Sequence, residues 1–414
     1  MVPEGWRKGV LEDIAIVTSG GTPSRGVAEY WCGSIPWVTT SEVNFCEIYD
    51  SSQKITDEGL NNSSAKMFPV GTILMAMYGQ GKTRGQVAKL AVEAATNQAC
   101  AAILLKLGYD SDFYFQYLQS QYSNIRQLSN GGGQDNLSGT IVKSIPVPIA
   151  PQPEQRKIAK ILGTWDKAIT TTEQLLTNSQ QQKKALMQQL LTGKRRLLGF
   201  QESSGFHKTR YGLVPDDWGF VGIEDVAIQI VKKNSDGLEL PVLSCSKYDG
   251  FVDSLKYFKK KVYSDDTSTY KVVERNSFGF PSNHIEEGSI GYQDLYDSGV
   301  VSPIYTVFKT NEMVHDGYLY KLLKTDHYRQ IFAASTNASV DRRGSLRWKE
   351  FSKIKIPLPS FDEQSAISEV IQSAEDECQI LKKRVKALKQ EKKALMQQLL
   401  TGKRRVTIEE NTPD

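Results

Sequence analysis

The sequence predicts two globular modules carried on two long helices that pack antiparallel as a coiled coil, the halves related by a pseudo-twofold internal repeat. Three observations predict it. Lys183 to Arg196 reads KKALMQQLLTGKRR and recurs identically from Lys392 to Arg405, an offset of 209 residues. A heptad seam precedes each copy. Residues 16–144 and 228–355 are alike in length and share little sequence, so one large unit is written twice with unlike middles.

Composition sets the outer limits. The chain has 414 residues, 39% hydrophobic and 24% charged, enough apolar material for two cores. No apolar run reaches the roughly 18 residues of a membrane span. The first residues show no basic region followed by an apolar core, and the default expectation is a soluble, cytoplasmic protein. Cys32, Cys46, Cys100, Cys245 and Cys378 are scattered without CxxC pairs, and the four histidines lack ligand spacing with them. No metal, disulfide framework or cofactor is therefore expected; His284 and His315 read as ordinary hydrogen-bonding residues. A net charge of +4 over this mass does not by itself mark a nucleic-acid binder.

The elements follow in the same order in each half. A leading segment, Val2-Pro3-Glu4-Gly5-Trp6 with Leu11-Glu12-Asp13-Ile14-Ala15, is echoed by Val214-Pro215-Asp216-Asp217-Trp218 with Ile223-Glu224-Asp225-Val226-Ala227. After the variable module comes an I-P-x-P hinge, Ile145 to Pro148 and Ile356 to Pro359, followed by Glu154-Gln155 and Glu363-Gln364. The expected boundaries are a first module over 1–150, a helical spacer over 151–197 and a linker over 198–213. A second module over 214–359, a second spacer over 360–405 and a tail over 406–414 complete the chain.

The helices can be read position by position. Ile367, Ile371, Ala374, Cys378, Leu381, Val385, Leu388, Leu395 and Leu399 step by alternating fours and threes, with Lys392 at one position. Subtracting the offset gives Ile158, Leu162, Trp165, Ile169, Thr172, Leu176, Ser179, Leu186 and Leu190, with Lys183 at the odd position. A period of 3.5 is a coiled-coil seam. Pro153 and Pro359 suit helix starts, and Thr192-Gly193 and Thr401-Gly402 suit stops. Each helix spans roughly 35–40 residues, about 55 Å. Thr172 and Ser179 weaken the first copy, which needs a partner helix. Leu186, Met187, Leu190 and Leu191, repeated as Leu395, Met396, Leu399 and Leu400, make a stripe wider than a two-helix seam requires. They are the candidates for a pair of equivalent docking sites, the other reading being core against the modules.

The basic charge is concentrated. Residues 379–405 carry ten Lys or Arg against Glu391 alone, which reads either as a solvated helix face or as a stripe facing a polyanion. Both modules are near neutral, so contact with DNA would be selective and made through loops. The foremost loop runs from Tyr78 to Gly85: its glycines allow close approach, Lys82 and Arg84 suit phosphates or guanine edges, and Gln80 suits an adenine edge. It is not a P-loop, because that pattern needs glycine where Ala76 stands. Asn62, Ser63 and Lys66, Asn97 and Gln98, and the stretch from Asn130 to Asn136 are further polar candidates, though each also reads as a simple turn. In the second module the candidates are Tyr292, Gln293, Asn337, Arg342 and Arg343, with Lys259-Lys260-Lys261 as a phosphate contact or a solvated face.

Taken in order, these pieces resemble the specificity (S) subunit of type I restriction–modification systems. Gly20-Gly21-Thr22-Pro23, Tyr30-Trp31, Ile35-Pro36-Trp37, Ile55 to Gly59, Asn62 to Ala65, Pro69-Val70-Gly71-Thr72 and Ala95-Thr96-Asn97-Gln98 look like its first target-recognition domain. Gly299 to Tyr305 looks like a variant of the second, and the hinges and duplicated helices look like its conserved regions. The resemblance implies an α+β fold for both globular domains, each reading one half of a split sequence in double-stranded DNA. It implies that the antiparallel helices act as a ruler across the unread spacer and bind two methyltransferase (M) subunits, forming an adenine methyltransferase. Two motor–nuclease restriction (R) subunits would join in the full complex. Half-sites about one helical turn apart fit two rigidly spaced readers.

The chemistry is expected elsewhere. The methyltransferase signature Asn-Pro-Pro-Phe/Tyr is absent from the sequence, and Asp110, Asp112, Asp265 and Asp266 read as surface charges. The expectation is a non-catalytic subunit that positions enzymes able to flip out the target adenine. A scaffold whose modules bind proteins is the alternative, and an enzyme with an interdomain pocket comes third.

Overall fold

Ile158, Leu162, Ile169 and Leu190 are buried along the first long helix, Gln152–Leu190, and Ile367, Ile371, Cys378 and Leu399 along the second, Phe361–Leu399. Each has 39 residues, about 58 Å at 1.5 Å per residue. The heptad reading thus identifies the buried faces, its polar positions included. Thr172 and Ser179 are buried; the Thr172 hydroxyl donates to the Ala168 carbonyl at 2.7 Å, and Ser179 Oγ lies 3.2 Å from Cys378 Sγ.

The computed structural model describes residues 3–79, 81–128, 136–200, 205–336 and 345–408. The chain divides into two compact units, Met1–Gln174 with Leu381–Asp414, and Leu175–Ile380. Each long helix gives its first part to one unit and its last part to the other. In the first unit Asp166 meets Lys392 and Glu173 meets Lys389; in the second Ser179 meets Cys378 and Lys183 meets Glu375. Rising numbers meet falling ones, so the helix segments within each unit run antiparallel.

The first unit is α+β. Its five-stranded sheet has the order Ala15–Ser19, Cys100–Leu105, Ile73–Ala76, Val87–Leu90 and Glu47–Ile48, antiparallel except for the last pair. A four-stranded sheet places Trp31–Val38 between Lys54–Ile55 and Ala94–Thr96, with Met67–Phe68 outside. The helix Ser111–Ser120 buries Phe113, Tyr114 and Leu118 in a core with Leu11, Ile14, Ile158, Leu162, Met396, Leu399 and Leu400.

The second unit is also α+β, built on a four-stranded antiparallel sheet in the order Ala227–Ile230, Tyr305–Thr310, Phe278–Pro281, Gly291–Tyr292. Strands Lys271–Glu274 and Ser298–Val301 form a separate pair. The helices Asp316–Leu323 and Asp326–Ser335 bury Tyr318, Leu322, Tyr328 and Phe332 in a core with Ile223, Val226, Leu190, Leu191, Ile367 and Ile371.

The I-P-x-P segments, expected as hinges, are paired strands: Pro146–Ile149 lies antiparallel to Arg7–Val10, and Lys355–Leu358 to Gly219–Gly222. A two-stranded ribbon has only edge strands, where proline's missing N–H costs no interior ladder bond. The leading segment therefore packs back on the helix start in each unit. Glu154 sits in the first turn of its helix, taking hydrogen bonds from Trp6 Nε1 at 3.3 Å and from Arg405 Nε at 2.8 Å. Glu363 does the same in the second unit, with Trp218 Nε1 at 3.0 Å and Arg196 Nε at 2.6 Å. The neighbouring glutamines repeat the correspondence. Gln155 donates to the Ala150 carbonyl and accepts from the Asp110 amide; Gln364 donates to the Pro359 carbonyl and accepts from the His315 amide.

Candidate nucleic-acid interface

Register places the first module's candidate loops together. Ser19 pairs with Ala101, and Cys100 with Ala76. The chain therefore leaves the five-stranded sheet after Ser19 and after Ala76, and enters it before Cys100, at one and the same end. Backbone bonds tie these exits: Met77 N–H donates to Ala99 O and Gly21 N–H to Thr96 O, each at 2.9 Å. Gly21 also lies against the segment carrying Asn62, Ser63 and Lys66. A Cβ there would fall 2.3 Å from the Ser64 carbonyl carbon, so only glycine permits the approach.

Within this cluster Thr22 Oγ1 donates to Gln98 Oε1 at 2.5 Å, and Lys66 Nζ to Thr18 Oγ1 at 3.2 Å. Asn97 Oδ1 accepts from the Ala99 amide, and Ser63 Oγ from the Ala65 amide. Asn62 is exposed at the end of the short helix Asp57–Asn61. Tyr78 and Lys82 are exposed, and the Lys82 carbonyl accepts from the Tyr122 hydroxyl. Arg84 is placed differently: it is buried, its Nη2 donating to the Arg126 carbonyl at 3.1 Å, so it braces the loop from beneath. Gln80 and most of the stretch from Asn130 to Asn136 lie outside the described residues.

Arg25 belongs to this face and the sequence reading passed over it. Its guanidinium lies 3.9 Å from the ring centroid of Trp31 and 5.0 Å from that of Trp37. Trp31 Nε1 donates to the Ser24 carbonyl and Trp37 Nε1 to the Gly21 carbonyl. The arginine is exposed and makes no ion pair among the described residues, so its donors face solvent on an aromatic bed. The available signal was the two tryptophans downstream. Six residues along a regular strand would hold them about 20 Å apart; the bulge between Trp31 and Ile35, with Cys32 at φ 61°, brings the rings to 5.1 Å.

The second module's candidates do not converge in this way. Tyr292 pairs with Phe278, at the far end of its strand from Pro281, and its hydroxyl lies 3.0 Å from both Asn276 Oδ1 and Asp316 Oδ2. Burial and the Asp316 carboxylate push that hydroxyl well above the ordinary tyrosine range. Gln293 is fully buried, Oε1 accepting from the Leu295 amide. Asn337, Arg342 and Arg343 lie outside the described residues. Lys261 is paired with Asp265. His284, Glu286 and Glu287 bring potential ligand atoms within 4.8 Å of one another, and His284 Nδ1 lies at hydrogen-bonding distance, 3.3 Å, from Glu287 Oε1.

The duplicated aliphatic stripe is packed inside each unit. Leu190, Leu191, Met396, Leu399 and Leu400 are buried, and Leu186, Met187 and Leu395 are half-buried against the same cores. Offered above as docking residues, they are core residues here, since each unit closes its own leading segment and first helix turn over them.

Residues 3–178 match the profile of the type I restriction modification DNA specificity domain. The MjaVIII specificity subunit of Methanocaldococcus jannaschii is 27% identical over 420 residues, covering 98% of this chain and 94% of that protein. The chain is thus similar to the type I restriction–modification specificity subunits, through the matched domain and along its whole length in the MjaVIII relative. That family is one of specificity subunits rather than catalytic ones. The MjaIX specificity subunit of the same archaeon is 31% identical over 173 residues, 41% of this chain, so the similarity spans 39% of that relative's length. The crystal structure of the type I S subunit from M. genitalium shares the fold at a TM-score of 0.59 and 16% identity, over 96% of both chains. The HsdS subunit from Thermoanaerobacter tengcongensis does so at 0.51, also with 16% identity, over 97% of this chain and 98% of that one. Among the described residues no helix is long and apolar enough to cross a membrane.

Proposed function

We propose that this chain is a type I specificity subunit that reads a split sequence in double-stranded DNA, one half through each module, and positions adenine methyltransferase subunits on it. Motor–nuclease subunits join the same assembly for restriction. The observation that carries the reading is the clasp built twice: Trp6, Glu154 and Arg405 in one unit, Trp218, Glu363 and Arg196 in the other. Equivalent mounts bearing unlike modules suit a pseudo-twofold protein facing an asymmetric target. The modules correspond to residues 1–150 and 214–359, the helical spacers to 151–197 and 360–405, joined by 198–213 and followed by 406–414. The antiparallel helices then act as the ruler for the unread spacer.

The first module's reading face is the sheet end carrying Thr22, Arg25, Asn62, Ser63, Lys66, Tyr78, Lys82, Asn97 and Gln98. Lys82 and Arg25 supply phosphate contacts, and Asn97 and Gln98 supply amides for base edges. For partner docking, the duplicated sequence itself gives a criterion. Packing explains why its leucines recur, but Lys184, Gln188, Gln189, Lys194 and Arg195 are exposed, as are their identical counterparts Lys393, Gln397, Gln398, Lys403 and Arg404. A core does not require identity on the solvent face; two copies of one partner do. The docking surface is therefore the exposed side of the duplicated turns, one methyltransferase on each.

The test combines two measurements on the full chain with its methyltransferase. Genome-wide methylation mapping should return a bipartite adenine motif. Retention on duplexes carrying that motif should fall at least tenfold for Lys82→Ala and Arg25→Ala. A wild-type complex that modifies no motif and retains no duplex would overturn the reading.

A further inference from the structure

The second module has a sheet end equivalent to the first module's reading face, and a basic pocket occupies it. In the first module that end is defined by the exit after Ser19, the exit after Ala76 and the approach before Cys100. In the second, Ala227–Ile230 follows the leading segment as Ala15–Ser19 does, and Ile230 pairs with Val307. Pro281 pairs with Tyr305, so the exits after Ile230 and Pro281 and the approach before Tyr305 share one end. Tyr292 and Gln293 lie at the other.

At this end a concave pocket of about 400 Å³ is lined by Gln229, Lys271, Ser282, Asn283, Arg347 and Trp348, among others. Among the described residues its lining holds two cations and no carboxylate. Leu346 N–H donates to Ser282 O at 2.9 Å, fixing the Arg347 segment against the strand end. Arg347 is exposed and makes no ion pair among the described residues. Lys271 Nζ donates to the Tyr305 carbonyl at 2.5 Å, a neutral acceptor, and makes no ion pair among the described residues. Burial and Lys233 hold that ammonium below its ordinary range, the setting in which an anion binds with most gain.

We propose that this pocket is the second module's DNA contact, taking a backbone phosphodiester between Lys271 and Arg347 with the Gln229 and Asn283 amides beside it. Two cations lining one concavity suit one phosphate, and Arg347 can engage its oxygens with two parallel N–H donors. The amides within the same concavity can address a base edge adjoining that phosphate. This inference rests on the DNA reading above and adds the site through which the second half of the target is held.

The experiment uses the full chain with its methyltransferase and measures duplex affinity across a salt series. Arg347→Gln and Lys271→Met should each weaken binding about tenfold, uniformly across target sequences. They should also lower the slope of log K against log salt by about 0.9 for the phosphate lost. Arg347 is exposed, so its variant tests the site even if Lys271→Met fails to fold. Wild-type retention with an unchanged slope in the soluble variants would overturn the pocket and leave the DNA reading standing; no wild-type retention would overturn that reading. Inorganic phosphate and dAMP serve as free-anion probes. If the variants lose affinity for these and keep duplex affinity and slope, the pocket is a small-anion site and the inference fails.

Discussion

The guanidinium of Arg196 grips the carboxylate of Glu363 from 167 residues away, Nε to Oε1 at 2.6 Å and Nη2 to Oε2 at 2.8 Å. Asp217 takes two further bonds from the same group, at 2.8 and 2.9 Å. Burial opposes the charge, but the two carboxylates outweigh it and raise the hold on the proton above the ordinary arginine range. Arg405 grips Glu154 in the other unit, yet where Asp217 stands in one leading segment the other has Gly5, and Arg405 turns instead to the Glu4 carbonyl.

This inequality sets the first prediction. Arg196→Ala takes the cation away from the buried Glu363 carboxylate and should destabilise its unit by about 3–5 kcal/mol. Arg405→Ala, whose side chain is 44% exposed, should cost clearly less. Differential scanning calorimetry, with each unit followed as its own transition, measures the difference; equal losses would contradict the asymmetry.

Lys392 is buried in the helix seam with Nζ 2.6 Å from Asp166 Oδ1. Asp166→Ala strands that ammonium and should cost about 2 kcal/mol, less than the roughly 3–5 of a fully buried pair because Asp166 keeps solvent contact. Lys392→Met removes the charge and fills the same space, so it should be neutral or stabilising. Chemical denaturation of the two variants checks the opposite signs.

Glu42 gathers the loop from Thr39 to Ser52, accepting from the Thr39 and Ser52 amides at 2.9 Å and from the Ser51 hydroxyl. Burial raises its pKa, but those hydrogen bonds outweigh it and leave the value below the ordinary 4.5. The ionised form is thus favoured in the folded state, and its contribution is complete above that ordinary value and lost as pH falls through the lowered one. Glu42→Gln should lower the melting temperature at pH 7 and have no effect well below pH 4, read from melting curves across that range.

The exposed glutamines of the duplicated turns predict a stoichiometry. Gln188→Arg with Gln189→Arg should leave one methyltransferase per chain, and adding Gln397→Arg with Gln398→Arg should leave none. Native mass spectrometry of the complex reads both, and two bound subunits in the quadruple variant would move docking elsewhere.

How far the sequence reaches is visible in these same residues. The seam could be read because a 3.5-residue period survives from sequence to burial without knowledge of the rest of the fold, Thr172 and Ser179 included. Glu154-Gln155 and the terminal Arg405 were both noticed, but their pairing crosses 251 positions and no local pattern encodes it. The loop at Lys82 was found from its glycines and charge. The burial of Arg84, two residues on, depends on Arg126 arriving from another helix. Arg25 was missed because the strand beneath it bulges. Tyr292 was favoured for its chemistry while register put it at the wrong end of its sheet, the kind of fact that only strand pairing decides.

The division of the chain carries one more consequence. Leu175–Ile380 is continuous, whereas Met1–Gln174 is completed only by Leu381–Asp414. On the ribosome the middle of the protein can therefore mature while its beginning still waits for the last residues to emerge, reversing the usual N-terminal-first order. Until then the apolar seats for Met396, Leu399 and Leu400 stand open, and a nascent chain stalled short of its final helix would present them to chaperones.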